Sequence, residues 1–446
     1  MRRGGGLRAA AAGLAAACCL SMGGCSMFGL DARSLMRPPR PSGDKAGVYD
    51  LLEKQGGASF SLRYPAAGGY RSAIIEHDLN GDGGDEAVAF YQKTPDDTAT
   101  QVLFCARGED GWRSVGLFQN PASRVDRVCF GDLDGDGSEE AVVGWGSSTS
   151  GASAITVYRE KDGKMSESRL DQTYNEMVLH DFDGDGSQEL FTAGIPADGG
   201  QFTASLFRMK ENTQQMIGSV ALDAGAQQFS SIQAGQVAPG VPGVAVDCLL
   251  ANSTSLSELF YWDAKTKSLC APLYSNTQQN ITQRSVAVNC TDVDADGVLD
   301  FPVVSRLPGY QGAASDDVGN AIQWTRMDST GDYKPVSMML QNAHDGYAIT
   351  LPDVWKNTIT TRRDASTHTL TVCAWDKTGN RAGAPLLQVQ SFSVQAWQSG
   401  TGTAGYTQML SASGRVVAAM RPAGNGPLFV PLEKIQPCFQ NLAQES

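Results

Sequence analysis

Four nine-residue stretches of this 446-residue chain set oxygen-bearing side chains at positions 1, 3, 5 and 9. They are Asp78, Asn80, Asp82 and Glu86; Asp132, Asp134, Asp136 and Glu140; Asp181, Asp183, Asp185 and Glu189; and Asp292, Asp294, Asp296 and Asp300. Position 7, occupied by Gly84, Ser138, Ser187 and Val298, can add its backbone carbonyl. Oxygen donors at alternate positions of a tight loop suit a hard cation that takes roughly six to eight oxygens at flexible geometry, which is calcium. The glycine at position 6 permits the sharp turn. Without a cation the clustered carboxylates would repel one another. Some four calcium ions per chain are therefore expected, one for each loop. A metal caged by protein oxygens lacks the open position that catalysis requires, so its expected task is to staple the turn.

An EF-hand or dockerin loop begins in the same way but needs a bidentate acid at position 12 and helices on both sides. Here position 12 is Ala89, Val143, Thr192 and Val303, and strand-forming residues flank each loop. The helical reading fails in all four copies.

The elements that hold these loops repeat. Loop starts lie 54, 49 and 111 residues apart, and the long gap is close to twice the period. A fifth unit is accordingly expected near residue 236, where Gly235-Gln236-Val237-Ala238-Pro239-Gly240 keeps the frame but has no carboxylates. Strands are expected before and after each loop, as at 127–130 and 141–143, or 286–289 and 301–304. A second apolar run follows, carrying Phe104, Tyr158, Phe207, Tyr261 or Trp324, and then a polar turn and another strand. Four strands in about 50 residues is the arithmetic of a β-propeller blade. The expected fold is thus mainly β, a propeller of about five recognisable four-stranded blades, with six or seven also open. Asp44 is the expected cap of a short helix whose apolar face is Val48, Leu51 and Leu52, ended by Gly56-Gly57. Periodicity stops after about residue 342, so the propeller is expected over 44–342 and a small α+β domain over 343–446, with a helix near 432–442. Two further degenerate blades are the competing reading of this last stretch.

These loops resemble the calcium loops of FG-GAP, or VCBS-type, repeats of integrin α-subunit propellers and many bacterial surface proteins. The resemblance covers residues 70–342 and departs from the fuller integrin pattern in having five recognisable units instead of seven, one of them without ligands. Ser21-Met22-Gly23-Gly24-Cys25 resembles the lipobox of bacterial lipoproteins, which implies a signal peptide over 1–24, a diacylated Cys25 and an extracytoplasmic, membrane-anchored chain. The lipobox, the Pro38, Pro39 and Pro41 tether within 25–43, and the stretch from Tyr64-Pro65 to Tyr91 together look like VCBS-repeat lipoproteins of gut-type Gram-positive bacteria. An ordinary cleaved signal, or an uncleaved anchor with Cys18 or Cys19 as packing residues, stays open. The apolar run from Ala9 to Leu20 is too short for a bilayer-spanning helix, which needs about 20 residues.

Removing residues 1–24 with Arg2, Arg3 and Arg8 takes the formal net charge from -13 to -16. Such acidity argues against a nucleic-acid partner, because phosphate contacts need clustered Lys and Arg. Cys105, Cys129, Cys248, Cys270, Cys290, Cys373 and Cys438 follow no disulfide or metal spacing and read as thiols packed in strands, with one or two disulfides as the alternative. His77 and His180 precede the first ligand of two loops and read as loop packing, while His344 and His368 have no acidic or cysteine partner at recognisable spacing. Trp112, Trp145, Trp262, Trp355 and Trp397 are candidates for stacking on sugars, with core packing the commoner use. No hydrolase, zincin or phosphate-loop motif is present. The expected function is a non-catalytic surface module that binds or scaffolds a glycan, peptide or neighbouring protein. The alternative is a surface enzyme acting on polysaccharide from the propeller face.

Overall fold

A computed structural model describes residues 41–442, apart from positions 58, 95, 147–153, 162, 171, 196–200, 211–212, 223–224, 276–277, 311–316 and 413. The signal segment, Cys25 and most of the tether lie outside the described residues. Among those described there are six antiparallel sheets. The second contains Arg124–Gly131, Glu140–Gly146, Ala154–Lys161 and Lys164–Leu170, in that order. The third contains Glu176–His180, Glu189–Gly194, Thr203–Lys210 and Thr213–Ala221, and the fourth Ala226–Ala238, Val241–Leu250, Ser255–Asp263 and Ser268–Cys270. In the first sheet Ser61–Leu62 and Ile74–His77 pair successive parts of Glu86–Gln92, followed by Thr100–Gly108 and Gly111–Asn120.

The second strand of each of these sheets is an almost continuous apolar run, because it is buried on both faces. Neighbouring sheets stack through those faces. Val88, Phe90, Val102 and Phe104 meet Val125, Val143, Trp145 and Tyr158, and the same kind of core recurs between each successive pair. First strands touch between the second and third and the third and fourth sheets, and last strands between the first and second and the third and fourth, the relation of blades set about an axis. The fold is a mainly β, propeller-like one.

The helix Lys45–Gly56 buries Val48 and Leu52 against Ala87, Ala89, Tyr91, Leu103 and Cys105, the face of the first sheet turned away from the second. Gly57, with φ of 74°, ends it. Asp44 does not cap it with its side chain as expected. Its carboxylate pairs with Arg107 at 2.5 Å and its carbonyl accepts the Trp112 indole N–H at 3.0 Å.

Three expectations for the second half of the chain are corrected. The stretch 286–289 forms no strand, and only Thr291 bridges Asp300. The cause is Arg284, fully buried, whose guanidinium donates to the carbonyls of Thr282 and Val288 that a ladder would otherwise use. The expected boundary at residue 342 falls inside a hairpin. Tyr333–Asn342 pairs with Tyr347–Thr350, which in turn pairs with Phe439–Asn441, completing the fifth sheet with Phe301–Arg306 and Asn320–Met327. The sixth sheet holds Ile359–Asp364, Thr369–Asp376, Arg381–Ser393, Thr407–Ala412 and Arg415–Met420. One core runs from Leu307 and Met338 through Trp355 and Leu387 to Ile435 and Phe439, across that boundary. The expected C-terminal helix is one turn, Leu432–Ile435, because Pro437 follows and the chain turns into the strand Phe439–Asn441.

Candidate calcium loops

In the first three sheets the acidic nonapeptide joins the first strand to the second, and in the fifth it leads from the Thr291–Asp300 bridge into Phe301–Arg306, so all four enter their sheets at the same point. Their internal hydrogen bonds repeat. The position-1 carboxylate accepts the position-6 N–H, from Gly83, Gly137, Gly186 and Gly297 to Asp78, Asp132, Asp181 and Asp292, at 2.8–3.1 Å. The position-5 carboxylates of Asp82, Asp136, Asp185 and Asp296 accept the N–H of position 7, Gly84, Ser138, Ser187 and Val298. One oxygen of the position-9 acid accepts the N–H of position 2 in every loop, leaving its other oxygen to face the loop interior. Convergent carboxylate oxygens lie within 4.8 Å of one another in the sets Asp132, Asp134, Asp136; Asp181, Asp183, Glu189; and Asp292, Asp294, Asp300. The residues fit a hard cation bound by oxygen.

Position 4 is also left-handed, a demand that sequence reading assigned only to position 6. Gly81, Gly135 and Gly184 take φ of 71–77°, but the fourth loop has Ala295 there at 59°. A left-handed conformation costs an L-residue about 1–2 kcal/mol, of which glycine gives back part through its own unfolded-state freedom. Ala295→Gly is expected to stabilise the protein by about 0.5–1 kcal/mol in urea unfolding; a loss of stability would contradict the strain.

The sequence reading missed the cations already at the loops. Arg159 pairs with Asp134, Asp136 and Glu140; Arg208 with Asp183 and Glu189; Arg326 with Asp294, Asp296 and Asp300. Each stands across the ladder from a position-9 acid, a register that places Ala106 opposite Glu86 in the first sheet. The loop with alanine at that register is also the loop with Asn80 in place of a third Asp. Counting the arginine, every ligand set has a formal charge of -3. Beside the first loop a cavity of about 170 Å³ remains, bordered by Asn80, Glu86, Ala106, Arg113 and Glu160. The signal available in sequence was an arginine one or two residues after Tyr158, Phe207 and Trp324; its meaning depended on strand register.

Burial at the base of the loop pushes Glu140 up to about 7, with Asp134 adding to the rise and the Leu133 N–H and Arg159 opposing it. Burial likewise raises Glu86, Glu189 and Asp300. Without metal, the folded chain therefore holds these protons more tightly than the unfolded chain, whose carboxyls titrate near ~4. The stabilisation is fully present below that range and is lost as pH rises through the folded values. Asp136 and Asp292, lowered mainly by loop N–H groups, act only at lower pH, and half-buried His180, lowered from its ordinary value by burial, acts in the opposite sense below that value. In chelator, the melting temperature is expected to fall from about pH 4.5 to 6 and to flatten when calcium, which favours the charged carboxylates, is restored. A rise over that window in chelator would overturn this assignment.

The loops also tie blades together. The position-8 N–H of Glu139 donates to Leu79 O, that of Gln188 to Asp132 O and that of Leu299 to Gln236 O, each at 2.7 Å. His77 Nε2 lies 2.6 Å from Glu139 Oε2 and its ring stacks on Phe130, a packing role between the first two loops. At the ligand-free unit the chain makes a tight hairpin at Pro239-Gly240, with Gln236 Oε1 accepting the Gly240 N–H. The seven cysteines of the described residues form no disulfide with one another. Trp145 and Trp355 are buried in cores, and Trp112 lies against Arg107 and Asp44. His344 and His368, without a partner by sequence spacing, are brought together with Asp345, a correction of that reading.

The chain matches no family model, and no curated protein matches it in sequence. Among solved structures it is similar to a protein from Lactobacillus plantarum (9% identity, 72% of this chain and 85% of that one, TM-score 0.31). It is similar also to a rhamnogalacturonan lyase of Bacillus licheniformis (13% identity, 62% and 68%, TM-score 0.31) and to the Dos1 propeller (12% identity, 81% of each chain, TM-score 0.30). Among the described residues, no helix is long and apolar enough to cross a membrane.

Proposed function

We propose that this is a lipid-anchored, extracytoplasmic propeller of the FG-GAP or VCBS-repeat kind, whose four acidic loops hold calcium and whose rigid face binds or scaffolds a glycan, peptide or surface protein without catalysis. The observation that supports it most is the recurrence of one hydrogen-bonded, oxygen-lined loop in four sheets, with an arginine offsetting the extra carboxylate in three of them. Calcium on that edge would brace the turns that also hydrogen-bond blade to blade, giving a stiff platform at little entropic cost to the ligand. The anchor rests on Cys25 and its small-residue flank.

Two measurements test this reading. Cys25→Ala is expected to move the protein from the membrane fraction to the soluble extracytoplasmic fraction; a variant bound as firmly as the parent would refute the anchor. An array of glycans, peptides and envelope proteins, probed with calcium present and then chelated, is expected to give a calcium-dependent partner that is released chemically unchanged. Shortened polysaccharide products would instead make the chain an enzyme.

A further inference from the structure

The sixth sheet has no acidic nonapeptide. Its corresponding turn, after Ile359–Asp364 and before Thr369–Asp376, is only four residues long and ends at His368. The turn between the last two strands of the fifth sheet proper, 343–346, comes alongside it and brings His344 and Asp345. We propose that His344, Asp345 and His368 form a binding site for a borderline transition-metal ion such as Zn²⁺ or Co²⁺, distinct from the calcium loops in place and in chemistry.

One donor atom from each of the three side chains lies within 4.8 Å of the others. Asp345 is buried at 2% exposure, and its Oδ1 is 2.7 Å from His368 Nδ1. Its other oxygen accepts Asn342 Nδ2 at 3.0 Å, and its backbone N–H donates to Asn342 Oδ1 at 3.1 Å. Asn342, itself buried, also reaches the Tyr347 hydroxyl. The carboxylate is therefore held from behind by a neutral amide, as ligands of metal sites commonly are.

His368 is held in an unusual backbone conformation. Its φ is +52°, a left-handed conformation that a residue with a Cβ seldom adopts, and its carbonyl accepts the Ser391 N–H at 3.1 Å. That places its ring 5.7 Å from the His344 ring with the planes 19° apart. His344 is exposed, so it can rotate to bring a nitrogen to the ~2.0–2.1 Å at which imidazole binds zinc, and ions can enter from solvent. Among the described residues, the ion-pair partner of Asp345 is a histidine, not the arginine that each complete acidic loop has. Two imidazoles and one carboxylate select borderline divalent ions over calcium, and three protein ligands leave a coordination position for water or a partner's side chain.

The test uses the purified full chain with calcium in excess, so that the oxygen loops are saturated. Titrated Co²⁺ is expected to give visible ligand-field absorption saturating at one ion per chain, and Zn²⁺ to bleach it. His344→Gln, in an exposed turn and folded as judged by an unchanged melting curve, is expected to weaken Co²⁺ and Zn²⁺ binding about 10- to 100-fold. Asp345→Asn is expected to do likewise, while His77→Gln leaves both titrations as in the parent. Absence of Co²⁺ absorption, or an affinity unaltered in folded His344→Gln, would overturn the proposal and leave the His368–Asp345 contact as a purely structural ion pair.

Discussion

Chelation is expected to cost this protein about ten degrees or more of melting temperature, and elemental analysis of the calcium-saturated chain is expected to find about four ions. Ligands gathered by folding bind a cation far better than an unfolded chain does. At a few hundred times the dissociation constant, linkage gives on the order of 3 to 4 kcal/mol for each site. The arginines temper this. In the second, third and fifth sheets the cation would have to displace or share carboxylates with Arg159, Arg208 or Arg326, whereas in the first loop Ala106 stands at that register and the neutral Asn80 amide donates to Asp82 and Glu86. The first loop is accordingly expected to fill early in a titration despite Asn80. Asp136→Ala should remove one ion and part of the stabilisation while sparing the Gly137 turn. A stoichiometry of zero or one, or a melting curve indifferent to chelator, would end the reading of the loops as independent sites.

The second large effect is expected where no metal is involved. Asp247 and Arg284 are both fully buried, 3.0 Å apart, at the place where the fifth sheet lacks its first strand. Asp247 also accepts the Ser257 hydroxyl and the Cys290 N–H, while Arg284 spans the carbonyls of Thr282 and Val288. The pair thus replaces a ladder, fixing the 282–290 segment to the fourth sheet. Asp247→Ala would leave the guanidinium buried and uncompensated, for which a loss of about 3–5 kcal/mol is typical. Removing both charges, as in Asp247→Leu with Arg284→Met, is expected to cost less than the single change, since no unpaired charge remains. Urea unfolding of the two variants checks this; a single variant within about 1 kcal/mol of the parent would show that the segment is held by packing alone.

Much of the frame was legible because it is written in local patterns. The nonapeptides, their glycine turn, the ligand-free unit at Gln236 and the apolar runs with Phe104, Tyr158, Phe207 and Trp324 all lie in the strands and loops where periodicity placed them. So does the helix that buries Val48 and Leu52. Each depends on neighbours a few residues away, through the period of a strand, the turn of a helix or the conformational freedom of glycine.

What the tertiary structure decided are pairings between residues that have no local relation. Strand register put Arg159, Arg208 and Arg326 over the position-9 acids, and a one-residue slip would have turned each to the opposite face. The buried Arg284 overrode the strand-forming character of 286–289 because an unsatisfied guanidinium costs more than a lost ladder. The described residues of the segment from 343 to 442, whose periodicity is gone, belong to the fifth and sixth sheets, since Tyr347, Ile349 and Phe439 find their apolar partners there. His344 and Asp345 meet His368 only because two turns of neighbouring sheets arrive at the same edge. A sequence states which side chains it can bring to a loop; the packing of one blade on the next determines which loops meet.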